Sequence, residues 1–210
     1  MPSTLVHVAI GGLVAVALLR EEFGWVTLGV VLAFAAVPDL DTFAGLVVPG
    51  AHRSLFHSVL FVVFVAALLW VDVKRDGSIL RSAFDSAGVR VAYVSLLALV
   101  FGGLAPDLVT NGINLLYPVR DQFVQVSGEV LLSNQRGVVQ TFVQLGRPDA
   151  GGAVVGSTET VHYSTGVNPT RGPEPKHVER VFPVVGSGMQ LLLVAMSGTL
   201  VGIRLRESET

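Results

Sequence analysis

The chain has 210 residues and a formal net charge of -2; 51% of its residues are hydrophobic, only 14% are charged, and none is cysteine. A soluble domain of this size carries about 25% charged residues, so the deficit, with a mean hydropathy of +0.64, points to lipid-facing spans. The charge balance gives no case for nucleic-acid binding, and without thiolates any metal must have nitrogen and oxygen ligands.

Five apolar stretches, at 4–19, 23–37, 55–71, 91–105 and 184–203, are candidate spans. A bilayer core takes about 20 apolar residues, within a range of about 17 to 25. The last stretch meets that length and the third nearly does. The first, second and fourth are short, which suits polar ends recessed below the headgroups. The first reads as a retained span and not as a signal peptide: it lacks a basic start, carries His7 within its run, and is followed by Arg20, Glu21 and Glu22. The expected fold is mainly α, a multi-span transmembrane bundle of about five helices with a small extramembrane β-rich insertion. The expected divisions are 1–118 for the membrane-embedded bundle with its candidate metal site, 119–182 for a β-rich cap, and 183–210 for a final span and polar tail.

Six ionisable residues recur at the ends of these stretches: His7, Asp39, Asp41, His52, His57 and Asp107. In an up-and-down bundle they share one face. Pro38 is expected to end the second span at Val37. Asp39 and Asp41 would then lie two apart in extended chain and point to one side, as a metal or an acid-base pair requires; a polar turn or a helix cap is the plainer reading. Ser54 is the expected N-cap of the third span, which puts His57 in the first helical turn and His52 in the loop before it, so that both turn to one centre. The plainer reading there is two interfacial histidines with ordinary hydrogen bonds. Ala105-Pro106-Asp107-Leu108 repeats Val37-Pro38-Asp39-Leu40 without a second aspartate. Taken together, three carboxylates in a partly desolvated place would repel one another, and one or two divalent cations would offset that charge.

Seven basic residues, Arg20, Lys74, Arg75, Arg81, Arg90, Arg204 and Arg206, fall on one side of this topology, against Arg53 alone in the short segments of the other. By the positive-inside rule the seven are cytoplasmic. The amino terminus, the six site residues and the long fourth-to-fifth connection then face outward, in a protein of the cell membrane. That connection begins with strand patterns at 123–126, 129–132 and 138–145, the latter two flanking Ser133-Asn134-Gln135-Arg136-Gly137, with a further strand expected within 153–163 and a proline-rich loop at 168–176. Its plainest role is a lid or spacer.

The ordered motifs resemble the YdjM-type family of inner-membrane proteins, regarded as metal-dependent hydrolases. The resemblance is carried by His7, Pro38-Asp39-Leu40-Asp41, His52-Arg53-x-x-x-His57-Ser58, and Asp107 followed by Thr110-Asn111-Gly112-Ile113 and Leu116-Tyr117-Pro118. It covers residues 1 to about 118. It implies a membrane-embedded bundle with a divalent metal, zinc before manganese, and hydrolysis of phosphoesters, through a distant similarity to zinc-dependent phospholipases C. By position, His7, Asp39, Asp41, His52, His57 and Asp107 would be ligands or acid-base groups. The family usually has a histidine about one turn before the aspartate matched by Asp107; here Phe101-Gly102-Gly103-Leu104 has none. Either one metal position is lost, or His162 or His177 substitutes for it.

The leading functional reading is a metal-dependent hydrolase at the extracytoplasmic face, acting on a phosphoester or lipid-like substrate. Asp39 or Asp41 would be its base, and Arg53 would hold an anionic group or anchor to headgroups. Its rivals are a non-catalytic scaffold or partner-binding protein with a degenerate metal site, and an ion-coupled transporter built on the repeated Pro-Asp-Leu helix ends.

Overall fold

The structure, a computed structural model, describes residues 2–141 and 153–209. Helix α1 (Thr4–Leu18) is followed by α2 (Trp25–Ala36), a 3-10 turn (Val37–Leu40), the short α3 (Asp41–Ala44), α4 (Val59–Lys74), α5 (Ile79–Ala98), a π-helical turn (Leu99–Leu104), α6 (Ala105–Thr110) and, after the β segment, α7 (Gly188–Ser208). The fold is mainly helical. Among the described residues three stretches are long and apolar enough to cross a membrane: Trp25–Ala44, Ile79–Thr110 and Gly188–Ser208. Helices α1 and α4, with 15 and 16 residues, are about 22–24 Å long at 1.5 Å per residue, less than a bilayer core of about 30 Å.

Helix α1 is the centre of the bundle, packed on α2, on α7 and on the π turn. Helices α1 and α7 run parallel: Ser3 Oγ donates to the Val184 carbonyl at one end and Ser197 Oγ to the Ala9 carbonyl in the middle. At the other end an Arg204 guanidinium N–H donates to the Arg20 carbonyl. Lipid provides little hydrophobic drive for helix association, so small residues must bring backbones close. Gly11 does so: a Cβ there would lie 2.7 Å from the Ala35 Cβ.

The two prolines expected to end helices do not. Val37 keeps right-handed helical angles (φ -50°, ψ -43°), and Pro38 sits in the first turn of the 3-10 segment, where its missing N–H costs nothing. Pro106 likewise lies in the first turn of α6, with the π turn before it absorbing the lost bond. The apolar runs therefore continue past both prolines, which is why two of the spans are longer than the expected 23–37 and 91–105.

The β segment forms two separate antiparallel pairs. β1 (Phe123–Gln125) pairs with β4 (Ala153–Gly156), and β2 (Val130–Ser133) pairs with β3 (Gly137–Gln140) across the expected hairpin. Residues 142–145 of the third expected strand lie outside the described residues, and the fourth strand is shorter than 153–163. Asp121 ties this segment to the bundle face: its carboxylate accepts from Thr158 N, Thr158 Oγ1 and Asn114 Nδ2.

Candidate metal centre

Each of the six ionisable side chains comes from a different local device, and the devices explain their grouping. His7 lies on the first turn of α1, buried against the π turn. Pro106 has no N–H to offer the carbonyl of Gly102 four residues earlier, and His7 Nδ1 lies 2.6 Å from that carbonyl oxygen. A carbonyl can only accept, so Nδ1 carries a proton and donates it there. Nε2 is buried and makes no hydrogen bond. It faces Asp39 Oδ1 and Asp107 Oδ2, both at 3.7 Å.

These three groups lie close enough together to share one cation. Zinc holds nitrogen and oxygen ligands at about 2.0–2.2 Å in a tetrahedron, which separates ligand atoms by about 3.4 Å. The ligand atoms of His7, Asp39 and Asp107 all lie within 4.8 Å of one another, and a buried imidazole nitrogen facing two carboxylates fits a divalent cation. The residues present thus fit one metal, with the Gly102 carbonyl orienting the histidine from behind.

The other three residues are occupied with each other. Asp39 lies in the 3-10 turn and Asp41 opens α3, not in extended chain, so at about 100–120° per residue they point roughly 120–160° apart. Asp39 accepts from Thr4 Oγ1 and faces His7. Asp41 turns inward, where Oδ1 takes His52 Nδ1 at 2.7 Å and Oδ2 takes His57 Nδ1 at 2.9 Å. His57 Nε2 lies 2.9 Å from Asp107 Oδ2. Both nitrogens of His57 face carboxylates, an arrangement that a doubly protonated imidazolium satisfies with two donated bonds. The result is a buried chain, His52–Asp41–His57–Asp107, one end of which is a candidate metal ligand.

Ser54 is not the N-cap of α4. Its hydroxyl donates back to the Gly50 carbonyl, and the helix starts later, with Ser58 Oγ accepting from Leu60 N. Residues 52–58 are left as turns, and that freedom lets His52 and His57 both reach Asp41. Arg53, with φ +63°, stands in the left-handed region, which costs a non-glycine residue roughly 1–2 kcal/mol. Its side chain is 1% exposed, so it does not anchor to headgroups; one Nη donates to Asp107 and the other to the Gly112 carbonyl.

Sequence reasoning assigned no role to Tyr163. Its ring lies 4.7 Å from the Arg53 guanidinium carbon and edge-on to His52, while its hydroxyl donates to the Asn111 carbonyl. An aromatic in a strand-rich segment carries no spacing signal that could tie it to an arginine 110 positions earlier. The segment after β4 thus packs on two of the site residues. His162 and His177 do not fill the missing histidine position: His162 bonds the Asn168 carbonyl in its own loop, and His177 is exposed.

The missing histidine has a packing cause. A Cβ at Gly103, one turn before Asp107, would stand 2.6 Å from Pro38 Cγ, and one at Gly102 would stand 3.0 Å from the His7 carbonyl oxygen. The glycine pair lets the π turn close onto α1 and the 3-10 turn, which sets the His7–Asp107 distance. Gly103→His is therefore expected to lower stability by about 1–3 kcal/mol through overpacking, and to add no second metal; thermal unfolding and metal content of the variant would check both.

A cleft of about 290 Å³ opens beside the group, with Asp39, His52 and Arg53 at its polar end and Thr4, Leu40 and Phe43 along one side. Comparison with curated proteins finds no match, and comparison with solved structures finds none. A family profile described as YdjM inner membrane protein matches residues 1–165. The match runs past the expected limit of 118 and takes in Tyr163, the residue that joins the β segment to the site. With more than half of its length matched, and with apolar helices long enough to cross a bilayer, this membrane protein belongs to the YdjM inner membrane protein family.

Proposed function

We propose that the chain is a membrane-embedded, metal-dependent hydrolase of phosphoesters, with its site at the extracytoplasmic face. The observation that carries the reading is the unpaired, buried Nε2 of His7 facing Asp39 and Asp107, of which Asp39 also lines a cleft. His7, Asp39 and Asp107 would hold the cation, which would supply Lewis acidity toward water and a phosphoryl oxygen.

The remaining residues divide the other tasks. His52 Nδ1–H donates to Asp41, which would leave Nε2 as the acceptor nitrogen of a cleft-lining residue. It takes a proton from the attacking water as the new P–O bond forms, and returns it to the alkoxide released when the ester P–O bond breaks. Asp41 acts through His52, since both its oxygens are engaged and its side chain is fully buried. Arg53 lines the cleft, and its guanidinium charge would attract an anionic phosphoryl group there.

The parallel course of α1 and α7 and the location of Arg20, Lys74, Arg75, Arg81, Arg204 and Arg206 away from the site support five passes, with the basic end cytoplasmic. The short α1 and α4 would leave the site face recessed. The scaffold reading keeps one observation in its favour, the glycine pair in place of a histidine.

Turnover decides between them. Detergent-purified protein loaded with zinc or manganese should hydrolyse a chromogenic phosphodiester, chelation should abolish that activity, and metal return should restore it. Bound metal with no hydrolysis of any mono- or diester would leave the scaffold.

A further inference from the structure

The segment after α2 has two chemically opposite faces. Asp41, Thr42 and Gly45 are buried toward the site, whereas Leu40, Phe43, Leu46 and Val47 are between 51% and 83% exposed. A contiguous apolar face of this kind, on a protein in water, marks a contact surface. Here it continues the 20-residue apolar stretch Trp25–Ala44, which is long enough to cross a bilayer. The side of the cleft formed by Leu40 and Phe43 is thus an extension of a lipid-facing helix.

Val167, Phe182 and Pro183, from the segment before α7, add further apolar lining to the cleft. Phe182 is 65% exposed and its ring rests on Gly166, where a Cβ would come within 2.5 Å of it. The floor holds the buried His52 and Arg53 together with Asp39, and Ser3, Thr4, Thr42, Ser164 and Thr165 add hydroxyls to the lining. The cleft, about 290 Å³ and open to the outside, has room for a phosphodiester headgroup, and its apolar lining would receive the chains of a lipid.

We propose that the cleft is reached sideways from the outer leaflet, past Leu40, Phe43 and Phe182, and that its occupant is a phosphodiester-headed membrane lipid whose chains lie along that apolar lining. This rests on the hydrolase reading for the chemistry at the floor, but the route stands on the apolar lining alone.

The chain has no cysteine, so Leu40→Cys, Phe43→Cys and Phe182→Cys can each carry a single spin label in vesicles of phosphatidylcholine and phosphatidylglycerol. At all three positions, collisions with dissolved oxygen should exceed those with a water-soluble nickel chelate. Phosphatidylglycerol with a photoactivatable acyl chain should cross-link to the parent chain, Phe43→Asp should lose that cross-link, and inorganic phosphate should not compete it away. Labels at positions 43 and 182 that collide mainly with the nickel chelate would overturn the proposal, as would a cross-link unchanged in Phe43→Asp. Lipid-exposed labels and an intact cross-link, with no turnover on any phosphodiester, would keep the route and remove the hydrolase reading.

Discussion

Replacing His7 by alanine should abolish divalent-metal binding while the bundle stays folded. The parent chain is expected to carry close to one zinc or manganese per molecule by elemental analysis after detergent purification, and His7→Ala less than a tenth of that. Loss of a group that merely orients a ligand weakens metal affinity by about 10–100-fold. Loss of the one imidazole ligand must do more, because two carboxylates remain and neither is a nitrogen donor. The cost to folding is smaller: the Gly102 carbonyl loses the Nδ1 donor 2.6 Å away, a penalty of about 1–3 kcal/mol for a buried acceptor. Asp107→Asn should lose metal to a similar degree while preserving side-chain shape. Stoichiometric metal in both variants would show that the ion, if any, is held by other residues.

The sequence pattern identified the participants better than their grouping. His7, Asp39, Asp41, His52, His57 and Asp107 are legible because polar residues stand out at the ends of apolar runs. Their division into three candidate ligands and a hydrogen-bonded chain is not legible, because it depends on backbone angles. Val37 and Ala105 both keep helical geometry before a proline, against the usual steric preference. The 3-10 turn then separates Asp39 from Asp41, and the π turn presents the Gly102 carbonyl to His7. Similarly, Ser54 and Ser58 are equally good caps by residue type, and the later start goes with long-range bonds from Ser58 Oγ to the Tyr117 carbonyl and from Val59 N to the Leu115 carbonyl. Tyr163 was beyond any local pattern. The hairpin at 130–140 was readable because its turn chemistry is local.

The second large effect belongs to Asp41, and it should differ in kind from the first. Asp41 is 0% exposed and accepts from two imidazoles. Removing one partner from a buried charge pair costs about 3–5 kcal/mol, because the partner left behind stays desolvated. Asp41→Ala should therefore lower unfolding stability by that order. Metal content should fall only within the range expected for an orienting residue, about 10–100-fold in affinity, because His57 still contacts Asp107. Asp41→Asn should cost less, about 1–3 kcal/mol: the amide offers one acceptor where the carboxylate offered two, so one imidazole loses its acceptor. Thermal unfolding in detergent and metal titration of the same preparations separate the two roles. An Asp41→Ala protein of unchanged stability but without metal would make Asp41 a ligand and dissolve the division drawn between the two trios. A destabilised protein that still binds metal would place the chain His52–Asp41–His57 as the frame that holds Asp107 in position, with the glycine pair at 102 and 103 fixing the opposite side.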